Sequence, residues 1–174
     1  IIHGENDVHD ALYNGEAVYQ AIKDANENDM IILEKNENIY YIPYDIWDKK
    51  NNITLKIDGK VILHDNYSAW PMISENEYYS AFHFTNSKNI IITGNGKIDG
   101  QGFNWWSAFQ KKKIVRKRPT ILLIEDSSNV NINKLKLWNS PRFNIYGYNI
   151  TNITVNDIEI YVKWDITKTF PYNT

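Results

Sequence analysis

The chain of 174 residues contains no cysteine, which excludes disulfide scaffolds, thiolate metal sites and cysteine nucleophiles. It has only 8 glycines and 5 prolines, too few for a collagenous or low-complexity protein. A formal net charge of −2 gives no general field that would attract nucleic acid or an anionic membrane. The apolar runs are much shorter than a membrane-spanning helix. We therefore expect one folded domain with neither a nucleic-acid nor a membrane partner.

A helical pattern is present near the start of the chain. Apolar residues recur there at helical spacing after Asn14, a residue type that often caps helix N-termini. The pattern ends in a polar cluster before Met30, which predicts one amphipathic helix near residues 15–27. The apolar positions are Ala17, Val18, Ala21, Ile22 and Ala25.

From Met30 onward, short β-branched runs alternate with Asn, Asp, Ser, Gly and Lys, as expected for strands and turns. Asp58-Gly59 is a tight-hairpin signal, but most separators lack one, so a meander of hairpins is disfavoured. Strands are predicted over Met30–Leu33, Ile39–Ile42, Ile53–Ile57, Val61–Leu63, Ala81–Phe84, Ile90–Thr93, Ile121–Ile124, Val130–Ile132, Phe143–Tyr146, Ile153–Val155 and Ile158–Val162.

Four segments repeat one pattern, an asparagine followed by apolar residues at the first and third positions after it. They begin at Asn52, Asn89, Asn129 and Asn152. The last two asparagines are 23 residues apart, within the spacing of short solenoid repeats. The wider spacings between the others require an extra turn or long loops. Each unit is therefore predicted to be a strand, a polar bend and a second strand.

Stacked coils of parallel strands explain this repeat, because a coil bends sharply at fixed places and buries one face of every strand. Asparagine tolerates the left-handed backbone of such bends, and equivalent side chains can hydrogen-bond along the stack. The spaced leucine consensus of leucine-rich repeats is missing. We predict an all-β fold, a parallel β-helix over residues 30–174. An N-terminal segment, residues 1–29, supplies a helix that caps the first coil.

The densest motif covers residues 94–106. Its glycine spacing is not the dinucleotide fingerprint, and no amphipathic helix is expected after it, which argues against a phosphate site. The glycines instead predict tight turns where a loop leaves the coil, with Trp105 and Trp106 packing that loop down. Asp99 is expected to hydrogen-bond within its own turn rather than to act in catalysis.

This motif, with Arg118-Pro119 opening a strand and Asn139-Ser140-Pro141 further on, resembles the polygalacturonases of glycoside hydrolase family 28. The resemblance covers nearly the whole chain and implies a right-handed parallel β-helix that hydrolyses the galacturonosyl bonds of pectin or a related glycosidic bond. The family's catalytic region begins with Asn-Thr-Asp-Gly, and Asn173-Thr174 matches its first two positions. The resemblance therefore implies a substrate-binding role for Asn173.

Inverting glycoside hydrolysis requires one carboxylic acid and one carboxylate with room for a water between them. The resemblance places these groups beyond Thr174, so we expect residues 1–174 alone to be inactive and to represent the N-terminal portion of the enzyme. A second argument that residues 1–174 are only a portion of the protein is that the sequence shows a cap at one end of the solenoid only. We expect a further segment or a second chain to cover the other end.

Six positive charges lie within the eight residues Lys111–Arg118. A solvated loop explains them most simply. The functional interpretation is contact with a polyanionic sugar chain such as polygalacturonate, which makes Lys111, Lys112 and Lys113 candidate substrate-binding residues. The four histidines lack the spacing of a metal-ligand set, and we predict neither a metal nor a cofactor.

Two functions remain open on the sequence. The first is a polygalacturonase-like hydrolase, which would be secreted and act on cell-wall polysaccharide. The alternative is a non-catalytic β-helix module for carbohydrate binding, adhesion or assembly.

Overall fold

Short parallel strands make up most of the computed structural model, which describes residues 6–35 and 38–163. The helices of this part are α1 (Val8–Asp24) and α2 (Gly102–Gln110). The strands are β1 (Met30–Leu33), β2 (Asn38–Tyr41), β3 (Trp47–Asp48), β4 (Asn51–Ile57), β5 (Lys60–Leu63), β6 (Met72–Ser74), β7 (Glu77–Tyr78), β8 (Phe82–Thr85), β9 (Lys88–Thr93), β10 (Lys97–Asp99), β11 (Leu122–Glu125), β12 (Ser128–Asn133), β13 (Lys136–Trp138), β14 (Ile145–Tyr148), β15 (Thr151–Asn156) and β16 (Glu159–Tyr161).

All strands except β6 and β7 form three parallel sheets that wind around one axis, and β6 and β7 form a separate antiparallel pair. Sheet 1 has the order β1-β4-β9-β12-β15, sheet 2 the order β2-β5-β10-β13-β16, and sheet 3 the order β3-β8-β11-β14. The chain passes from sheet 3 to sheet 1 to sheet 2 and then returns to sheet 3 in the next coil. The fold is a right-handed parallel β-helix, which confirms the predicted class.

The repeated asparagines form the corner between sheets 3 and 1. All four adopt the left-handed backbone, with φ between 53° at Asn52 and 59° at Asn152. Their side chains form a ladder, in which Asn89 donates to Asn52 over 2.6 Å, Asn129 to Asn89 over 2.9 Å, and Asn152 to Asn129 over 3.1 Å. The predicted role of the asparagines is confirmed.

The core lies inside the coil and follows the two-residue period of the strands. On sheet 1, Leu55, Ile92 and Ile132 stack at one register position, and each is 0% exposed. Ile91, between two buried positions of β9, points outward and is 40% exposed. Each fully buried aliphatic side chain contributes about 1.5–3 kcal/mol relative to an exposed one, so these columns stabilise the stack.

The capping helix is present, but its predicted bounds of 15–27 are wrong. The helix begins at Val8, because Asp7 rather than Asn14 is the N-cap and accepts a 2.9 Å hydrogen bond from the Asp10 amide. Asn14 lies buried within the helix, where its side-chain nitrogen donates to the Tyr40 carbonyl. α1 packs on β2 and β3 and covers the first coil.

The strands missed by the sequence pattern are short. β10 and β13 have three residues each, and the apolar run of each is too brief to show a period. The expectation that no amphipathic helix follows the glycine-rich motif is also wrong, because α2 begins at Gly102, within the motif, and continues to Gln110. Its buried face consists of Gly102, Trp105 and Ala108, which recur at every third residue. The polar and aromatic residues between them hide this helical spacing in the sequence.

Candidate functional site

Long connections leave the coil at one corner, between sheet 2 and sheet 3. They span residues 64–81, 100–121 and 139–144 in successive coils, whereas the other two corners of these coils are short turns. Loops carried by a rigid scaffold are the usual place of binding residues. The candidate site is therefore built at this corner.

The glycine-rich motif brings two of these connections into contact. Gly102 donates its amide proton to the Asn139 carbonyl over 2.8 Å, and a Cβ atom at Gly102 would lie 2.6 Å from that oxygen. Directly before Gly102 the chain turns at Gln101, whose φ of 48° is left-handed. A glycine at 102 is thus required by the close approach of the next coil.

The two tryptophans of the motif hold α2 against the coil, as predicted. Trp105 is fully buried, and its ring centroid lies 5.5 Å from that of Trp70 and 5.0 Å from that of Tyr78, both in edge-to-face geometry. Trp106 donates its indole N–H to the Ser140 carbonyl over 3.0 Å. The helix is therefore a fixed wall of the corner.

A cavity of about 360 Å³ opens beside this wall. Asp99 is one of its lining residues and is only 7% exposed. Its Oδ1 atom accepts hydrogen bonds from Asn139 Nδ2 over 3.0 Å and from the Gln101 amide over 3.4 Å. The residues lining the cavity are Asp99, Gln101, Gly102, Phe103, Trp106, Asn139 and Lys163.

Asp99 is predicted to hydrogen-bond within its own turn, and the structure shows one such bond and a second bond outside the turn. The Gln101 bond lies within its own turn, but the Asn139 bond crosses to the next coil. A cation also lies beside Asp99, since Lys97 Nζ is 3.9 Å from Asp99 Oδ2 and 3.7 Å from the Trp138 ring centroid. Burial lowers the pKa of Lys97, and the Asp99 charge opposes that shift.

This set of groups suits a polar, ring-shaped ligand. Concave sites typically combine apolar or aromatic walls with a few fixed polar groups that orient the ligand. Trp106 supplies an aromatic surface, while Asp99, Gln101 and Asn139 supply acceptors and donors of the kind that bind sugar hydroxyls. The hydrogen bonds already made by Asp99 favour binding over proton transfer.

The sequence-predicted lysines lie at the other end of α2. Lys111, Lys112 and Lys113 directly follow the helix and are exposed. Gly102 and Lys111 are separated by nine helical steps, roughly 13 Å. Lys111 and Lys113 line a separate recess of about 160 Å³. The remaining candidate, Asn173, lies outside the described residues.

Sequence reasoning missed the contact between Asp99 and Asn139. The signal was present, because these residues are 40 positions apart, the same offset as the Asn89–Asn129 pair of the ladder. Equal offsets place both pairs at matching positions of the same two coils. The asparagine repeat could thus have located this contact.

A second pair of titratable side chains, a buried imidazole and a partly exposed carboxylate, lies on sheet 3. His83 Nε2 is 2.8 Å from Glu125 Oε2, and the imidazole is 4% exposed on the outward face of the strand. Burial lowers the pKa of His83, although the Glu125 charge acts in the opposite direction.

Within residues 6–35 and 38–163, no group of three or more His, Asp or Glu side chains could hold a metal ion. No helix in these ranges is long and apolar enough to cross a membrane.

Sequence comparisons place this fold among known proteins. The chain is 33% identical over 116 residues to a probable polygalacturonase of Vitis vinifera, covering 59% of this chain and 24% of that relative. It is 24% identical over 169 residues to a probable exopolygalacturonase B of Aspergillus flavus, covering 88% of this chain and 37% of the relative. The chain therefore spans only about a quarter to a third of the length of these curated relatives.

Solved structures show the same fold. An exopolygalacturonase from Thermotoga maritima superposes with a TM-score of 0.61 at 16% identity, covering 92% of this chain and 45% of that chain. A polygalacturonase from Erwinia carotovora gives a TM-score of 0.60 at 17% identity, covering 84% of this chain and 47% of that chain.

The family model described as glycosyl hydrolases family 28 matches residues 39–169, from within β2 to beyond β16. Because that match covers more than half of the chain, the protein belongs to glycosyl hydrolases family 28.

Proposed function

We propose that this chain is the N-terminal part of a polygalacturonase-type enzyme that hydrolyses pectin-type polysaccharide with inversion. The observation that carries this proposal is the cavity of Asp99, Gln101, Trp106 and Asn139, at the loop-bearing corner of a family 28 β-helix. Its polar groups and aromatic wall match the surface of a sugar ring. The relatives named as polygalacturonases support the same substrate class.

The two carboxyl groups of the inverting reaction are proposed to follow Thr174. One would protonate the leaving oxygen, and the other would activate a water molecule on the opposite face of the ring. Asp99 is poorly suited to either task, since its Oδ1 atom is held by Asn139 and by the Gln101 amide. The described coils would then bind the polysaccharide beside the reacting bond.

Exposed apolar side chains on the last described coil support a continuing solenoid. Ile153, Val155 and Ile160 are 41%, 46% and 57% exposed, whereas the side chains stacked beneath them are buried. Exposed rows of this kind favour pairing with further β structure. We propose that a following segment or a second chain covers them.

Lys111, Lys112 and Lys113 are proposed to contact the same polysaccharide outside the cavity. They are exposed, and their recess adjoins the helix that walls the cavity. Asn173 is proposed to bind the sugar at the start of the catalytic region. Because pectin is a polymer outside cells, we also propose that the protein is secreted.

A non-catalytic carbohydrate-binding module is the second candidate, and the hydrogen-bonded state of Asp99 favours it for the described coils. The protein expressed from its complete gene would be weighed by intact mass spectrometry and assayed for reducing ends released from polygalacturonate. The hydrolase is expected to weigh well above 20.4 kDa and to release sugar whose anomeric configuration is inverted in NMR spectra. Binding of polygalacturonate without release of reducing ends would contradict the hydrolase and leave the binding module.

A further inference from the structure

Four asparagines of the chain stand in the Asn-x-Ser/Thr motif that accepts N-linked glycans. They are Asn52, Asn66, Asn149 and Asn152. An asparagine-rich chain contains such motifs by chance, so the local structure has to distinguish the four. The glycan is attached to the side-chain nitrogen, Nδ2, and is bulky. A modified asparagine must therefore direct Nδ2 into solvent.

Three of these asparagines lie at corners of the coil, where Nδ2 holds neighbouring segments together. Asn152 Nδ2 donates to Asn129 in the ladder over 3.1 Å, and Asn149 Nδ2 donates to Asp126 over 2.7 Å. Asn52 Nδ2 donates over 3.2 Å to the glutamate carboxylate that follows α1. A sugar on any of these nitrogens would replace one of its two hydrogens and lie against the segment to which the nitrogen is bonded. A glycan there conflicts with the contacts that build the coil.

Asn66 differs because its side-chain nitrogen is free. It lies in the connection of residues 64–81, and its side chain is exposed. Its Oδ1 atom accepts the Ser68 amide over 3.1 Å, and its carbonyl accepts the Ala69 amide over 3.1 Å. Asn66 Nδ2 donates no hydrogen bond to any of the described residues. Because the side-chain amide is planar, the bond at Oδ1 directs Nδ2 away from the turn and toward solvent.

The turn that carries Asn66 is fixed on both sides. Before it, His64 Nδ1 accepts the Asn66 amide over 3.1 Å. After it, the Tyr67 ring packs against the fully buried Trp105, with centroids 6.1 Å apart and an interplanar angle of 60°. The turn is therefore anchored in the core while Asn66 itself faces outward, so a bulky group at Nδ2 displaces none of these contacts.

A glycan at Asn66 would stand on the side of α2 that faces away from the cavity. The residue before it, Asp65, accepts a hydrogen bond from Asn104 Nδ2 over 2.6 Å. Trp106, two positions further along α2, bonds instead to the Ser140 carbonyl beside the cavity. Residues two apart on a helix point about 200° apart around its axis, so these contacts use opposite faces of α2. The helix thus separates the glycan from the cavity.

We propose that Asn66 is the N-glycosylation site of this protein and that the other three motifs stay unmodified in the secreted form. The site rests on the proposed secretion, because the transfer takes place in the secretory pathway. The donor is an oligosaccharide joined through N-acetylglucosamine to a polyisoprenyl diphosphate. Asn66 Nδ2 forms a bond to C1 of that sugar as the bond from C1 to the diphosphate oxygen breaks. The polyisoprenyl diphosphate leaves with the bonding electrons, and one Nδ2 proton passes to a base.

Trypsin, which cleaves after lysine and arginine, separates the four asparagines into three peptides. These are residues 51–56 with Asn52, residues 61–88 with Asn66, and residues 143–163 with Asn149 and Asn152. The full-length protein is collected from the medium of the cells that naturally produce it. Treatment with peptide N-glycosidase in water enriched in heavy oxygen converts each glycosylated asparagine to a labelled aspartate. We expect mass spectrometry to find the label in residues 61–88 alone.

Substitutions at Ser68 test the motif without changing Asn66. Ser68→Ala removes the hydroxyl that completes the motif, so the label should disappear and the intact mass should fall by one glycan. Ser68→Thr keeps a hydroxyl and should keep the glycan. Thr154→Ala destroys the motif at Asn152 in the same way and is the matched control, which should lose no glycan mass. Melting curves verify that each variant is folded.

The outcomes separate the site from the proposed function. Secreted protein without label, or with label in either of the other two peptides, overturns the assignment of Asn66 and leaves the proposed secretion standing. Protein that stays inside the cells without label contradicts secretion and the site together. Release of reducing ends from polygalacturonate tests the hydrolase by itself. Its rate should be equal before and after removal of the glycan, and a change would contradict the position of the glycan behind α2.

Discussion

Asn129 donates a 2.9 Å side-chain hydrogen bond to Asn89, its counterpart in the preceding coil. Asn129 also accepts one from Asn152, so it forms two rungs of the ladder. Its φ of 55° is a conformation that most residues avoid. One residue type thus provides both the bend of the coil and a contact between coils.

Substitutions at Asn129 separate these two contributions. Asn129→Gly keeps the left-handed backbone and removes the ladder bonds, so we expect a loss of about 1–2 kcal/mol in the free energy of unfolding. Asn129→Ala also strains the backbone, and a further loss of about 1 kcal/mol is expected. Urea unfolding measures both. Equal stability of the two variants would show that the backbone conformation contributes nothing at this corner.

Adjacent isoleucines on β9 test the direction of the side chains. Ile92 is 0% exposed inside the coil, and Ile91 is 40% exposed on the outer face. Ile92→Ala is expected to cost about 2–5 kcal/mol because it leaves a cavity, whereas Ile91→Ala should cost less than about 1 kcal/mol. The substitution is the same at both positions, so each variant is the control for the other. A larger loss at Ile91 would contradict the register.

The His83–Glu125 pair predicts a pH dependence of stability. Burial holds the folded-state pKa of His83 below its ordinary value of about 6.5, so the unfolded chain binds the proton first as the pH falls. The stability associated with neutral His83 is therefore present above about pH 6.5 and is lost as the pH falls toward the folded-state pKa. Melting temperatures between pH 5 and pH 8 measure this slope.

His83→Gln should flatten that slope, whatever its effect on stability at pH 8. A wild-type slope in His83→Gln would mean that other groups cause the pH dependence.

The three lysines after α2 test the electrostatic contact. Replacing Lys111, Lys112 and Lys113 with Gln should weaken binding to polygalacturonate several-fold at low salt, with little effect at high salt because exposed charges are screened. The melting temperature should not change, since these side chains are exposed. Binding is measured by affinity electrophoresis.

A control with the same change in charge distinguishes a local contact from a general field. Lys35, Lys88 and Lys134 are exposed and lie outside the basic segment, and their replacement with Gln removes the same three charges. Equal weakening in both triple variants would assign the lysines after α2 to the solvated surface.

The sequence determined the solenoid, because its signals are local and repeated. An asparagine that prefers the left-handed backbone, followed by alternating apolar residues, specifies a bend and a strand without reference to distant residues. Repetition at Asn89, Asn129 and Asn152 added the stacking, and the motif at residues 94–106 added the family resemblance. The start of α1 was missed because Asp7 and Asn14 are both acceptable caps, and only the packing of Asn14 on Tyr40 distinguishes them.

Only the tertiary structure decided the content of the site. The cavity joins Asp99 to Asn139 across coils. A local pattern does not specify how much chain a loop inserts between two coils, so it cannot state which side chains meet at a corner. The inter-strand register fixes that distance, since each coil is held to the next by backbone hydrogen bonds. Lys111 and Asp99 are close in sequence but lie toward opposite ends of α2, because the helix spans the residues between them.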